Sequence, residues 1–235
     1  MKRISTFFLS IILMLAITGI QNKIEAQECE AYFPTEEGTV LTYENFNQRD
    51  KLQSKMIQEL KSVESRGDTT VYNIHQRILD DKDKLLYEGD LEFKCHGNKF
   101  YIDMESYINP QQMESYKGMD IEITMDEITL PDKLEPGMEL DEGYINMAID
   151  AQMMTMNFNT RIFNRKVEAK EELTTPAGTF EAYKISSQTE TKTTMMNVTT
   201  KSITWYNEDY GMIRSENYNK RDKLDSYSVL VKIER

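Results

Sequence analysis

The stretch "KEELTTPAGTFEAYKI", residues 170–185, has the composition of two β-strands joined by a tight turn. Pro176 fixes its own φ and cannot donate a hydrogen bond to a sheet, whereas Gly178 can adopt a positive φ. The pattern therefore predicts that "TPAG" is a turn between the strands "NRKVEAKEEL" and "TFEAYKI". A loop that contacts a ligand is the alternative interpretation of the same four residues.

Strands with one apolar and one polar face extend in both directions from this hairpin. In "MDIEITMD", residues 119–126, apolar side chains alternate with acidic and threonine side chains. The spacing in "SYSVLVKI", residues 226–233, predicts an apolar face of Tyr227, Val229, Val231 and Ile233 opposite Ser226, Ser228, Leu230 and Lys232. A period of two with one dry face favours an antiparallel sheet over βαβ units.

Short polar turns separate these strands at the spacing of a meander. They are "SRGDT" at 65–69, "DDKDK" at 80–84, "HGN" at 96–98 and "NEDYG" at 207–211. The segment at 129–143, "TLPDKLEPGMELDEG", is the candidate crossing loop between two halves of one sheet. Residues 49–65 fit a helix as well as a hairpin, and residues 109–118 also fit one or two helical turns. The predicted fold is mainly β, a single strongly curved antiparallel sheet (half-barrel or open barrel) with little helix.

The first 26 residues have the layout of a secretory signal peptide. Lys2 and Arg3 precede the apolar run 4–20, and Ala26 suits the residue before the cleavage point. A membrane anchor is the alternative, although the 17-residue run is shorter than the roughly 20 residues of a spanning helix. We therefore expect a signal peptide at 1–26, one domain at 27–235, no membrane span after cleavage, and a periplasmic, outer-surface or secreted location.

Charge and cysteine content limit the partners and the covalent chemistry. The formal net charge of −12 repels phosphate backbones, which excludes nucleic acid as a partner. The chain has two cysteines, Cys29 and Cys95, and an exported chain with an even cysteine count predicts a disulfide between them. Two free thiols are the alternative.

Four segments together resemble a family of exported bacterial proteins of Bacteroidetes type whose function is unknown. They are "YFPTEEGTVLTYENF" (32–46), "LPDKLEPGMEL" (130–140), "NRKVEAKEELTTPAGTFEAYKI" (164–185) and "ITWYNEDYGMIRSE" (203–216). The Thr-Pro-Ala-Gly-Thr-Phe turn and the later Trp-Tyr pair carry the resemblance. It implies a strongly curved antiparallel sheet similar to the half-barrel of the periplasmic lipoprotein carriers. It implies no catalytic residue, because the family has no established activity.

Candidate catalytic and metal-binding groups are sparse. The two histidines, His75 and His96, lie in no nucleophile–base motif, and with Cys29 and Cys95 they form no zinc-ligand spacing. The 15 methionines fit packing or cavity lining better than soft-metal binding. We therefore expect no metal and no cofactor.

The favoured function is that of an exported, non-enzymatic binding or envelope-associated protein with an apolar or lipid-like small molecule on the concave face of its sheet. The candidate pocket residues are Met119, Ile121, Ile123, Met125, Met154, Met156 and Phe158. The alternative is a structural or interaction subunit that docks an envelope protein partner through that face. A third hypothesis is a glycan-active enzyme that uses paired carboxylates.

Overall fold

The computed structural model describes residues 32–102, 118–150, 155–193 and 195–235, and every regular element among them is a β-strand. The strands are β1 (Val40–Asn47), β2 (Leu52–Arg66), β3 (Thr69–Asp80), β4 (Leu85–His96), β5 (Lys99–Ile102), β6 (Asp120–Asp126), β7 (Ile128–Pro131), β8 (Glu139–Leu140), β9 (Gly143–Asp150), β10 (Thr155–Thr175), β11 (Gly178–Thr193), β12 (Asn197–Asn207), β13 (Gly211–Tyr218) and β14 (Leu224–Glu234). In this part of the chain, no helix is long and apolar enough to cross a membrane. The predicted signal peptide lies outside the described residues.

All fourteen strands belong to one antiparallel sheet that curls until its two ends meet. The order is β6-β9-β10-β11-β12-β13-β14-β1-β2-β3-β4-β5-β7, with β8 paired to β10. The terminal strands β6 and β7 are neighbours in the chain, separated by Glu127 alone. Because β6 pairs with β9 while β7 pairs with β5, the sheet is nearly closed into a barrel with one unsealed seam. The prediction of a single strongly curved antiparallel sheet is confirmed.

The "TPAG" turn forms as the sequence predicts. Thr175 pairs with Gly178 across a two-residue loop, and the backbone N–H of Ala177 donates to Thr175 Oγ1 at 3.2 Å. Gly178 has a φ of +145°, which side-chain-bearing residues rarely adopt. The helical interpretation of residues 49–65 is wrong, because the strand β2 that covers most of them hydrogen-bonds to β1 on one side and β3 on the other.

Antiparallel strands place alternate connections at opposite ends of the barrel. We call the upper end the one with the β1–β2, β3–β4, β11–β12 and β13–β14 connections, and the lower end the one with the β2–β3, β4–β5, β10–β11 and β12–β13 connections. The hydrophobic core fills the lower half. Its fully buried members include Leu41, Tyr43, Leu60, Ile74, Phe100, Leu130, Ile213 and Leu230.

The segment before β1 packs into the lower half of the barrel. Tyr32 and Phe33 are both buried, and the ring of Phe33 contacts Phe93 edge-on with centroids 5.1 Å apart. The Tyr32 carbonyl passes close to the backbone of Gly211, at the β12–β13 connection. This segment therefore closes the lower end with aromatic rings.

The predicted apolar face of β14 is wrong. Leu230 lies in the core opposite Tyr43, whereas Tyr227 lies outside, where the Arg214 guanidinium stacks 4.7 Å from its ring centroid. The register with β1 shifts by one residue between Leu230 and Lys232, so Ile233 returns to the inner face. Because a bulge inverts the alternation on either side of it, one period-two pattern cannot describe this strand.

Candidate functional site

A cavity of about 490 Å³ lies inside the barrel above the core. Its lining residues come from the N-terminal segment and from β1–β5 and β12–β14: Tyr32, Phe33, Tyr43, Met56, Gln58, Gln76, Ile78, Phe93, Phe100, Ile102, Thr204, Tyr206, Met212, Ser215, Asn217 and Ser228. We call this space the barrel cavity. It has an apolar floor toward the lower end and a polar wall toward the upper end.

The floor consists mainly of aromatic rings that are fixed by one another. Phe93 and Phe100 meet edge-on with centroids 5.5 Å apart, and Tyr72 packs edge-on against Phe100 at 6.4 Å. Tyr43 is almost completely buried, and the desolvation raises the pKa of its hydroxyl above the ordinary value. The tyrosine therefore stays neutral at physiological pH, and the floor carries no charge from it.

The wall contains a row of small polar side chains that runs across five neighbouring strands. Directly paired residues along this row are Thr204, Ser215, Ser228, Asn45 and Ser54. Directly paired residues in a sheet point to the same face, so the whole row faces the interior. Neighbours within it hydrogen-bond to one another: the two hydroxyls of Thr204 and Ser215 are 3.3 Å apart, and Asn45 Nδ2 donates to Ser54 Oγ at 3.0 Å. We call these five residues the first polar row.

A second polar row lies one step nearer the upper end. Its directly paired members are Ser187, Ser202, Asn217, Ser226 and Asn47. The hydroxyls of Ser187 and Ser202 are 2.8 Å apart, and Asn217 Nδ2 donates to Ser226 Oγ at 3.4 Å. The inner face of the upper half is therefore rich in hydroxyl and amide groups on this side of the barrel.

Two buried glutamines extend the polar lining to β2 and β3, where they lie two residues nearer the lower end than Met56 and Ile78. Gln58 Nε2 donates to Gln76 Oε1 at 2.9 Å, and the two residues are only 8% and 6% exposed. Among the described residues that line the barrel cavity, none carries a charged side chain. The cavity therefore offers apolar contact and neutral hydrogen bonds, without an ionic partner for a charged ligand.

The predicted pocket residues lie on a different part of the inner face. The register pairs Ile121 with Ile149 and Ile149 with Met156, and it pairs Ile123 with Met147 and Met147 with Phe158. Met125 pairs with Ile145, which is buried in the core. Five of the predicted residues thus share one apolar face on β6 and β10, beside the barrel cavity and outside its lining. Met119 precedes β6 and is exposed, and Met154 lies outside the described residues.

Sequence reasoning missed the polar rows. Their signal was present in the alternating hydroxyls of "TTKSITW", where Thr200, Ser202 and Thr204 share one face of β12. A polar face is ordinarily assigned to solvent, so no site was predicted from this pattern. Only the closure of the barrel places these residues inside.

The histidines take no part in the barrel cavity. His75 lies outside on β3, with Nδ1 2.7 Å from Asp90 and Nε2 2.9 Å from Glu88. These hydrogen bonds, first that of Asp90 and then that of Glu88, raise the pKa of His75. The described ranges contain no group of three or more His, Cys, Asp or Glu side chains that could hold a metal ion.

Cys95 lies on the inner face of β4 at its lower end. It is 2% exposed and is not a free thiol. Its predicted partner Cys29 lies outside the described residues, so the Cys29–Cys95 disulfide stays a prediction.

Side chains bridge the seam where no backbone ladder exists. Arg165 on β10 is 5% exposed and donates through Nη1 to the backbone carbonyl of Thr129 on β7 at 3.1 Å, and also to the carbonyl of Asp141. Lys99 Nζ contacts Asp141 Oδ2 at 2.7 Å, and this hydrogen bond lowers the pKa of Asp141. We call these four residues the seam cluster.

Comparisons with known proteins agree with this architecture. A candidate exported protein with a YmcC-like fold from Bacteroides fragilis is 22% identical, with a TM-score of 0.71, over 88% of this chain and 100% of that chain. A candidate lipoprotein from Parabacteroides distasonis is 25% identical, with a TM-score of 0.72, over the same shares of the two chains. No curated protein matches. Residues 36–230 match the model of a family described as DUF3108-like, and the predicted resemblance is confirmed. The chain therefore belongs to the DUF3108-like family.

Proposed function

We propose that this chain is an exported, non-enzymatic binding protein that holds an apolar or amphiphilic small molecule in the barrel cavity. Export is supported by the two similar structures, which are described as an exported protein and a lipoprotein. The observation that carries the binding role is the cavity of about 490 Å³ with its aromatic floor.

The size and lining of the cavity support a small-molecule ligand. Protein interiors are close-packed and hold few voids larger than a water molecule. Small-molecule sites typically measure about 300–1,000 Å³ and are lined mainly by apolar and aromatic groups with a few polar ones. The barrel cavity matches this description in volume and in composition. Burial of the ligand's apolar surface against Phe93, Phe100 and Met56 supplies the driving force.

The chemistry of the lining favours binding over catalysis. General acid–base catalysis needs a titratable group within hydrogen-bond reach of the reacting atoms. The described lining contains tyrosines as its only titratable groups, and the pKa of Tyr43 is raised. The histidine with a raised pKa, His75, lies on the outer face with its two carboxylate partners. A glycan-active site with two facing carboxylates therefore has no support in this cavity.

The test is a titration of the neutral apolar probe N-phenyl-1-naphthylamine into the purified protein. We expect saturable fluorescence enhancement in the wild type. Thr204→Phe places a ring in the barrel cavity and is expected to weaken binding by at least about tenfold. Thr199→Phe is the matched control, because Thr199 is exposed on the outer face of the same strand.

Two results contradict the proposal. One is the absence of saturable probe binding in the wild type. The other is equal probe affinity in the wild type and Thr204→Phe, with both proteins folded by circular dichroism. Weakened binding in Thr199→Phe as well points to a surface effect and also counts against the barrel cavity.

A second candidate function is docking of an envelope protein partner through the open upper end. One observation favours it. Of the seven large apolar side chains that the described residues expose, six belong to the upper half: Leu85, Leu86, Met119, Ile123, Met195 and Met196. Apolar groups exposed at one end of a barrel offer contact area for a partner protein. This function needs no occupied cavity, so the probe titration separates the two candidates.

A further inference from the structure

We infer that the ligand of the barrel cavity carries an uncharged, hydroxyl-rich head group of the sugar type, held by the polar wall, and an apolar part held by the aromatic floor. This inference rests on the proposed binding function and names the chemical class of its ligand. Four observations carry it: the division of the lining into two regions, the hydrogen-bonding capacity of the wall, its pre-ordered geometry and the lack of charge.

The division of the lining matches the two parts of an amphiphile. Phe33, Phe93 and Phe100 line the cavity toward the lower end, while Thr204, Ser215 and Ser228 line it toward the upper end. The second polar row continues the hydroxyl surface upward, so the polar region extends from the cavity to the open end of the barrel. On the β12–β14 side of the cavity, a ligand with its apolar part downward and its polar part upward meets aromatic rings below and hydroxyl groups above.

The polar wall has hydrogen-bonding capacity beyond its internal bonds. A serine or threonine hydroxyl offers one donor and two acceptor positions, and a primary amide offers two donors and an acceptor. The bond between Gln58 and Gln76 uses one donor and one acceptor, which leaves Gln58 Oε1 and the Gln76 amino group for a ligand. Likewise, the contact between the Thr204 and Ser215 hydroxyls leaves acceptor positions on both oxygens. Such mixed donors and acceptors suit sugar hydroxyls, which also donate and accept.

The wall is held in place before any ligand binds. Each polar side chain of the first polar row sits opposite another across a strand pair, and the internal hydrogen bonds fix their rotamers. Side chains that are already ordered lose little conformational entropy on binding, which favours affinity. The two glutamines are ordered in the same way by their mutual bond.

The lack of charge selects against ionic head groups. A carboxylate or phosphate moved from water into this cavity loses its hydration and meets no cationic side chain among the described lining residues. The formal net charge of −12 adds a repulsive field for anions. A cationic head group meets no carboxylate in the described lining either. A neutral head group avoids both costs.

The test compares four probes of one series by isothermal titration calorimetry: octyl β-D-glucopyranoside below its micellar concentration, 1-octanol, sodium octanoate and glucose. We expect the glucoside to bind the wild type about tenfold or more tightly than 1-octanol, because a few added hydrogen bonds contribute on the order of 1.4 kcal/mol. Octanoate is expected to bind more weakly than the glucoside. Glucose is expected to give no saturable heat, because it lacks the apolar part.

The matched variants are Gln58→Leu/Gln76→Leu, which removes both amide partners inside the cavity, and Gln53→Leu, which changes an exposed glutamine of the same strand. Replacement of both partners of a hydrogen bond by apolar groups is nearly neutral for stability. The double variant is expected to lose the tenfold preference for the glucoside and to keep its affinity for 1-octanol. Gln53→Leu is expected to match the wild type.

The outcomes separate this inference from the proposed function. If 1-octanol and the glucoside bind the wild type equally, or octanoate binds as tightly as the glucoside, the head-group inference is wrong while the binding function stands. A preserved glucoside preference in the double variant also refutes the inference. If neither these probes nor N-phenyl-1-naphthylamine binds with saturation, both the function and the inference fail.

Discussion

Gly211 lies where two backbone segments nearly touch. A Cβ atom at this position would lie 2.3 Å from the backbone carbonyl oxygen of Tyr32, and the residue has a φ of +74°. Both facts require glycine: the first because a backbone oxygen cannot move aside as a flexible side chain can, and the second because side-chain-bearing residues rarely adopt this φ. The contact holds the N-terminal segment against the β12–β13 connection at the lower end.

We expect Gly211→Ala to destabilise the protein more than Gly67→Ala. Gly67 has nearly the same φ, +71°, yet nothing lies within 4 Å of its added Cβ. The positive φ alone costs about 1–2 kcal/mol for alanine. The clash with Tyr32 adds on the order of 1–3 kcal/mol at position 211. Urea unfolding measures both free energies, and equal losses in the two variants would refute a tight contact at Gly211.

Local sequence predicts for some residues, and not for others, whether the side chain lies inside the barrel. An apolar side chain on an alternating strand is buried by the hydrophobic effect, as Phe93 and Phe100 are. Ser228 was predicted on the polar face of β14 and lies inside, because exposure costs a hydroxyl little and its burial depends on partners in other strands. Those partners, Asn45 and Ser215, are identified by strand register and not by local pattern.

The β3–β4 hairpin is held on its outer face by one histidine between two carboxylates. His75 contacts Asp90 and Glu88 through its two ring nitrogens, and these bonds raise the pKa of His75 above its reference value of 6.5. A group whose pKa is raised on folding stabilises the protein fully below its unfolded-state pKa. That contribution is lost as the pH rises through the folded-state value.

We therefore expect the stability difference between the wild type and His75→Gln to be largest at acidic pH and to shrink as the pH rises above about 6.5. The urea midpoint of each protein, measured across this pH range, gives the difference. Asp90→Asn is the control, because it removes the carboxylate whose hydrogen bond contributes most to the raised pKa of His75. A difference that is independent of pH would show that His75 acts through packing alone.

Strands were predicted well where they are regular and poorly where they bulge. The turn at Pro176 and Ala177 follows from local chemistry, so its position was correct. The faces of β14 were wrong because the bulge near Val231 depends on pairing with β1, which lies almost the whole chain away. For β2, whose apolar spacing also fits a helix, the two neighbouring strands decide the outcome.

The N-terminal segment packs into the core beside β5, and the predicted disulfide is compatible with this contact. Tyr32 lies three residues after Cys29 and packs against Phe100, which pairs with Cys95. A disulfide here would fix the segment that closes the lower end.

We expect the purified, unreduced protein to contain no thiol that reacts with Ellman's reagent in denaturant, and two after reduction. Cys95→Ser is expected to lower the free energy of unfolding by about 2–4 kcal/mol, because a disulfide restricts the unfolded chain. Two reactive thiols before reduction would contradict the prediction. The matched variant Cys29→Ser should give the same loss, since either change removes the same bond.

The whole sheet was predictable as a class, whereas its closure was not. Alternation and turn spacing indicate a curved antiparallel sheet from local residues alone. The seam depends on Arg165, Thr129, Asp141 and Lys99, which come from four separate parts of the chain and include a buried cation that local patterns assign to the surface. The barrel cavity could not be predicted from local patterns either, because it exists only once the sheet has closed.

The seam cluster affects how far the circumference of the barrel can change. The diameter of a fully closed barrel is fixed by its number of strands and by the stagger of their hydrogen bonds. In this sheet, the strands on either side of the seam are joined by the short link at Glu127 and by the side chains of Arg165 and Lys99. Side chains can change rotamer without breaking a ladder of backbone bonds. The circumference can therefore change at the seam without the loss of any strand pairing, and we expect the barrel cavity to admit ligands of different width.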